Sequence, residues 1–257
     1  MCDKRFEGRV AIVTGGGSGM GFAVSRRLVK EGAKVYIFDF NEKAMYEKLA
    51  EIGEDESFGF KVDVSDEEQV KAAVAAVAEK EGKIDHLVNM AGIPGPSCRA
   101  EDYTFEDFKR VYSINVFGTF LMMQNCLKVM QANKFGSIVN ACSCSGMRGY
   151  ELEIGYGSSK GAVLQLTKCA ANENGFNGVR VNSIAPGWVD TNMLDNILSQ
   201  YADTDDGGYT KEELRNGTMT RPATATEMAN CICSLLSDEA CYVNGSNFVI
   251  DGGKTLG

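Results

Sequence analysis

The sequence predicts an α/β fold: a doubly wound parallel sheet with helices on both faces. Three observations predict it. Short apolar runs alternate with amphipathic helical patterns throughout the 257 residues. The runs are continuously apolar, as in strands buried on both faces, and do not alternate apolar with polar residues. No linker, repeat or low-complexity segment breaks the rhythm, so residues 1–257 read as a single domain.

The elements follow in order. RVAIVT (9–14) reads as a buried strand, and a helix runs from about Gly19 to Glu31, where Gly32 stops it. KVYIFD (34–39) is the second strand, with a helix after it from Asn41 to Ile52. FGFKVDV (58–64) is the third. Asp66 then caps a helix to Glu81 that carries Ala and Val on its inner stripe. DHLVNMAG (85–92) is the fourth strand and ends in glycine. One long helix is expected from Phe105 to Asn133, then the strand GSIVNAC (136–142), a helix from Tyr156 to Asn174 and the strand RVNSIAP (180–186). Residues 188–225 depart from the alternation. A helix over 227–236 and the strand NFVID (247–251) complete a seven-stranded sheet.

Composition narrows the function. The chain is 44% hydrophobic and 24% charged, with a net charge of −9. That balance argues against a nucleic-acid surface or an anionic membrane surface. No apolar run approaches membrane-spanning length, and MCDKRFEGR is too polar for a signal peptide, so a cytoplasmic protein is expected. The nine cysteines include no C-x-x-C pair, and His86 is the only histidine. They read as free thiols in a reducing compartment, with Cys2 and Cys98 the candidates for exposure, and no zinc site is expected. A lone histidine at the start of a strand also makes a Ser-His-Asp hydrolase hard to build. The acidic clusters Asp203–Asp206 and Glu212–Glu213 read as a solvated loop, so no metal is expected.

Thr14-Gly-Gly-Gly-Ser-Gly-Met-Gly21 follows the first strand and opens a helix. Gly15, Gly19 and Gly21 let the backbone turn tightly and approach a pyrophosphate, which the helix N-terminus attracts. Asp39 ends the second strand, about twenty residues further on, where a carboxylate accepts hydrogen bonds from ribose hydroxyls and repels a 2′-phosphate. Neither Phe40 nor Asn41 offers a cation to such a phosphate, which favours NAD over NADP.

With these residues the chain resembles the short-chain dehydrogenase/reductase family. The pattern T-G-x-x-x-G-x-G is Thr14 to Gly21, and Asp63-Val64 resembles the family's pair at the third strand, whose Asp faces the adenine. The family's N-N-A-G stands here as Asn89-Met90-Ala91-Gly92, with Met in place of the second Asn. Asn115 in SINVFG, Ser143 thirteen residues before Tyr156, and Tyr156-x-x-x-Lys160 match the active-site set. Pro186, Gly187, Val189 and Thr191 resemble the nicotinamide-side loop, and FVIDGG the last strand. The resemblance spans the chain in order. It implies a single-domain Rossmann fold and NAD as cofactor, with Ser18, Met20 and Phe40 completing the expected contacts. It also implies a homotetramer through the helices at 105–133 and 156–174, where Phe117, Phe120, Leu121, Leu164 and Leu166 form apolar stripes.

Tyr156 and Lys160 share a helix face at i and i+4. A nearby ammonium lowers a phenol's pKa by about 1–3 units, which would suit Tyr156 to acid–base work on an alcohol or ketone. Ser143 would steady the developing alkoxide, with Ser145 as its rival. The resemblance gives Lys160 the nicotinamide ribose and Asn115 a water against Lys160.

Residues 188–225 occupy the place of a substrate lid. Met193, Leu194, Ile197, Leu198 and Tyr201 fall on one helical face, and Met147, Tyr150 and Leu152 are possible pocket residues. Trp188 is expected on the nicotinamide side. These features suggest a bulky, mostly apolar secondary alcohol such as a hydroxysteroid. A small diol, hydroxyketone or sugar alcohol is the alternative. A ketoreductase of fatty-acid synthesis fits less well, since it docks an acidic carrier. From another class, the same fold could serve as a non-catalytic dinucleotide-binding scaffold or sensor.

Overall fold

A computed structural model describes residues 4–202, 210–211, 213–214 and 217–256. Cys2, Asp203–Asp206 and Glu212 therefore lie outside the described residues.

The chain folds as a single parallel α/β unit. Its strands are β1 (Val10–Thr14), β2 (Lys34–Asp39), β3 (Gly59–Lys61), β4 (His86–Asn89), β5 (Gly136–Ala141), β6 (Val179–Pro186), the short β7 (Val189–Asp190) and β8 (Ala223–Thr224), and β9 (Asn247–Ile250). The main sheet has seven strands in the order β3-β2-β1-β4-β5-β6-β9, and β7 pairs with β8 apart from it. All pairs are parallel. The order reverses between β1 and β4, and a parallel sheet opens a crevice at such a switch point.

Alternate residues of each strand feed two cores. Ala11, Val13, Val35 and Ile37 pack with helices α1 (Gly19–Lys30), α2 (Glu42–Ile52) and α8 (Ala225–Leu236). Val10, Ile12, Tyr36 and Phe38 face the layer of α3 (Glu67–Glu81), α5 (Thr119–Asn133) and α6 (Ile154–Asn174). This is why the strands read as unbroken apolar runs. His86 belongs to this interior. Its ring lies edge-on to Phe6 and Phe135, neither nitrogen has a partner, and burial lowers its pKa to about 3.

Several boundaries differ from expectation. The third strand covers only Gly59–Lys61, because it sits at the sheet edge and Val62–Val64 leave it to reach the crevice. The helix expected over 105–133 is α4 (Phe105–Tyr112) and α5, joined by a π-helical turn at Ser113–Gly118. Gly118 packs there against Val64, whose Cγ2 would lie 2.6 Å from an added Cβ. The cysteines also differ: Cys126, Cys142, Cys144 and Cys233 are buried, and Cys98 is half-buried, but Cys169 and Cys241 are exposed. Cys169 lies on the outer side of α6, and Cys241 follows the last helical turn. Among the described residues no helix is long and apolar enough to cross a membrane.

Within residues 188–225, α7 (Asn192–Ala202) forms as an amphipathic helix. Leu194 is buried, and Met193, Ile197, Leu198 and Tyr201 are half-buried. Lys211 holds the segment by bridging Asp190 at 2.6 Å and Asp195 at 2.7 Å.

Candidate active site

A cavity of about 790 Å³ lies beyond the carboxyl ends of β1, β2 and β4. The first turn supplies Gly15, Ser18, Gly19, Met20 and Gly21 to its wall. Asp39 and Phe40 follow from β2, Asp63 and Val64 from beyond β3, Ala91 and Gly92 from beyond β4, and Thr191 from just before α7. Glycine is required at two of these positions. Gly15 has φ +63°, and a Cβ on it would stand 2.9 Å from the Ala91 nitrogen. A Cβ on Gly21 would collide with the carbonyl oxygen of Gly15. Ser18 takes the cap position of α1 without a side-chain capping bond, so the first-turn N–H groups stay open to an anion. Asp39 accepts from the Gly17 N–H (2.8 Å) and the Asn41 N–H (2.8 Å), one on each oxygen. Each oxygen keeps acceptor capacity for a ribose. The cradle fits a dinucleotide.

Not every expected contact reaches this cavity. The Asn89 side chain turns into the sheet and donates to Asn140 at 2.8 Å. Val189 packs into the core with Val139, Ile184 and Met228. Pro186 and Gly187 stay with β6, where the Gly187 N–H donates to Ile250. Trp188 is not in the cavity wall; its ring lies beside Lys254, with Nζ 3.8 Å from its centroid. The wall also includes Lys109 and Arg110 of α4, Ile93 and Met193. Sequence pattern gave no sign of the two cations, since they come from a helix far along the chain.

The reacting side is built where β5 meets α6. Asn140 on β5 donates to Thr167 of α6 (3.0 Å) and accepts from Asn89, which fixes α6 against the sheet. Ser143 follows β5, and its Oγ accepts from the Ser145 N–H at 3.1 Å. The Ser143 hydroxyl hydrogen-bonds to Tyr156. Lys160 Nζ lies 5.6 Å from the Tyr156 ring centroid and donates to the Ala141 carbonyl at 2.9 Å. The expected helix-face pair is therefore present, with Ser143 as its serine. Ser145 lies instead on the Glu153 side, where its hydroxyl favours the ionised carboxylate.

The electrostatics correct one expectation. The Tyr156 pKa is raised, not lowered: burial dominates, the Glu153 charge adds to it, and the Ser143 hydrogen bond opposes both. Burial also lowers the Lys160 pKa to about 8. The ammonium is itself desolvated and spends a bond on Ala141, so it does not offset the cost of ionising a buried phenol.

Asn115 sits in the π turn, and its side chain is fully engaged. Oδ1 accepts from the Ile93 N–H (2.9 Å), and Nδ2 donates to the Ile93 carbonyl and to Ser159 Oγ (each 3.0 Å). It joins the loop after β4 to α6. Gly92 lies between, so that an added Cβ would be 3.1 Å from Asn115 Oδ1 and 3.4 Å from Lys160 Nζ.

Residues Met147, Tyr150 and Leu152 line a second cavity, of about 650 Å³, between 98–101 and the start of α6. Glu153 lines it too and was not singled out in the sequence, nor was Lys254. Among the described residues no cluster of three His, Cys, Asp or Glu is placed to hold a metal.

A family model described as enoyl-(acyl carrier protein) reductase matches residues 15–255. Levodione reductase of Leifsonia aquatica is 38% identical over 255 residues, covering 98% of this chain and 96% of the relative. The chain belongs to the short-chain dehydrogenase/reductase family. The crystal structure of levodione reductase superposes with a TM-score of 0.91 at 37% identity, covering 98% of this chain and 99% of that one. NAD+-bound xylitol dehydrogenase gives 0.89 at 32% identity (96% and 99% covered), and NADP-bound ElxO gives 0.88 at 30% (97% and 99%). As a member of this family, the chain is an oxidoreductase of CH–OH groups that uses a nicotinamide dinucleotide.

Proposed function

We propose that the chain interconverts a secondary alcohol and a ketone with NAD(H), with Tyr156 as the acid and base. One observation carries this reading: Ser143, Tyr156 and Lys160 converge, and Lys160 stands against Gly92 in the wall of the cavity that fits the dinucleotide. The nicotinamide, when bound, supplies the hydride chemistry. Tyr156 handles the proton, taking it from the substrate hydroxyl during oxidation and returning it during reduction. Ser143 holds the substrate oxygen as charge develops on it. Lys160 grips the nicotinamide ribose, and Asn115 keeps the Gly92 loop and α6 in place.

A phenol with a raised pKa is protonated at neutral pH and ready to donate. Ketone reduction should therefore proceed at neutral pH, and alcohol oxidation should accelerate as pH rises. Asp39 supports NAD over NADP. The half-buried face of α7 supports a substrate with a sizeable apolar body, for which a hydroxysteroid is one form. The net charge of −9 disfavours docking of an acidic acyl carrier. Phe117 and Phe120 remain 54% and 44% exposed, which supports a homo-oligomer through the π turn and α5.

The test is NAD and NADP reduction across hydroxysteroids, cyclic alcohols and small diols, with the wild type and Tyr156→Phe. The variant should lose about a thousandfold in kcat while still binding NADH by fluorescence. Wild-type turnover in Tyr156→Phe would refute the acid–base assignment. Failure of the wild type to turn over any alcohol would favour the scaffold reading.

A further inference from the structure

The loop after β4 and the helix α7 meet twice. At the dinucleotide cavity, Ala91, Gly92 and Ile93 share the wall with Asn192 and Met193. About 10 Å further along α7, at a rise of about 1.5 Å per residue, Gln200 is tied to the same loop. Its Oε1 accepts from the Ser97 N–H at 2.7 Å, and its Nε2 donates to the Gly95 carbonyl at 3.3 Å. Nε2 also donates to Asn196 Oδ1 at 2.9 Å, one turn earlier on the helix. Every polar atom of the amide is used, and Ser97 and Asn196 together fix which way round it stands.

The loop is stiff by sequence. Pro94 and Pro96 flank Gly95, each with φ fixed by its ring and without an N–H. Ser97 is therefore the first donor after Gly95. The loop is also held from behind. Asn115 pairs with both backbone groups of Ile93, and the Tyr103 hydroxyl fills the space where Gly95 would carry a Cβ. The same hydroxyl fills that space at Gly155, the residue before Tyr156, and Gly92 stands against Lys160. The loop thus borders the reacting residues, and Gln200 joins α7 to it.

Positions 193, 197 and 200 share one face of a helix. Met193 is in the cavity wall and Gln200 touches the loop, so Ile197, half-buried between them, faces the gap beside the loop. Apolar contacts alone let a helix slide, but a donor and an acceptor that engage two nearby backbone groups hold one spacing. A carboxylate or an ammonium in place of the amide would satisfy only one of the two.

We infer that Gln200 is a positioning residue. It fixes α7 at one distance from the 94–97 loop, so that the Ile197 face grips the body of the substrate while the substrate oxygen meets Tyr156 and Ser143. The inference rests on the alcohol–ketone reading above and adds what holds the rest of the molecule. It places Gln200 in the choice between substrates, outside the proton and hydride steps. An alcohol with an apolar ring gains from the fixed face; one with only methyl groups does not reach it.

The test compares Gln200→Ala and Gln200→Glu with the wild type. Hydrogen exchange of the amides in 192–202 reads the tie without any need of turnover. Both variants should exchange about tenfold faster there, with the sheet unchanged. Kinetics with NAD read the positioning. The kcat/KM of cyclohexanol over that of 2-propanol should fall about tenfold in both variants, through the KM of cyclohexanol. A loss of folded enzyme lowers both alcohols alike and leaves that ratio where it was. Unchanged exchange overturns the tie. Faster exchange with an unchanged ratio, or a ratio that falls through kcat, overturns the positioning role; each of these leaves the alcohol–ketone reading standing. If the wild type oxidises no alcohol, that reading fails, and the positioning role fails with it whatever the exchange shows.

Discussion

The two sides of the site are built from different materials. The cofactor side is mostly backbone: a glycine turn, the open end of α1, and Asp39 held by two N–H groups. The side at Tyr156 is mostly side chain: Ser143, Tyr156 and Lys160, with Met147, Tyr150, Leu152 and Glu153 around the second cavity. Backbone recognition leaves little room for substitution, because a glycine has no substitute where a Cβ would strike a carbonyl. Side-chain recognition can be retuned one residue at a time. The first should be brittle and the second adjustable.

The sharpest way to break this contrast is Gly21→Ala. Its methyl would push Gly15 out of place, so NADH affinity should fall about a hundredfold, read by fluorescence titration. A variant that binds NADH normally would show the turn to be as tolerant as the substrate side. Asp39→Ser acts on a side chain of the cofactor cradle and should have a smaller effect. The ratio of kcat/KM for NAD over NADP should fall about tenfold, with little change in thermal stability. The Lys109 and Arg110 cations in the same wall would then meet the added phosphate.

The smallest effect concerns Lys160, where the two sides meet. Its pKa in the folded chain is about 8, against roughly 10.4 when unfolded. Between these values the unfolded chain binds more protons, so this group makes stability rise with pH across that window. Below about 8 both states are protonated, and the cost of burying the charge is fully present. Lys160→Met should therefore raise Tm by a few degrees at pH 7 and by less at pH 10, in differential scanning calorimetry. A gain that is the same at both pH values would mean that Lys160 is not a strained ammonium.

The same contrast explains what could be read in the sequence. Gly15, Gly21, Asp39, Ser143, Tyr156 and Lys160 were all legible because backbone geometry or helix periodicity ties them to fixed spacing. Lys109 and Arg110 were not, since α4 enters the sequence about seventy residues after Asp39 and joins the same cavity wall only through the fold. The direction of the Tyr156 pKa was also hidden. Spacing shows that a lysine is near, but not that both groups are desolvated. The short third strand was missed because apolar residues continue past its end to line the crevice.

The π turn at Ser113–Gly118 has a consequence for mutation. It amounts to one extra residue in a helix that would otherwise run straight from α4 to α5, and each residue turns a helix by about 100°. Deleting one residue there would restore regular winding and keep every hydrogen-bonded turn. It would also rotate α4 by more than a quarter circle relative to α5 and carry Asn115 away from Ile93. Length is thus a functional variable at this point of the chain: an enzyme one residue shorter would be a well-formed helix set to the wrong phase.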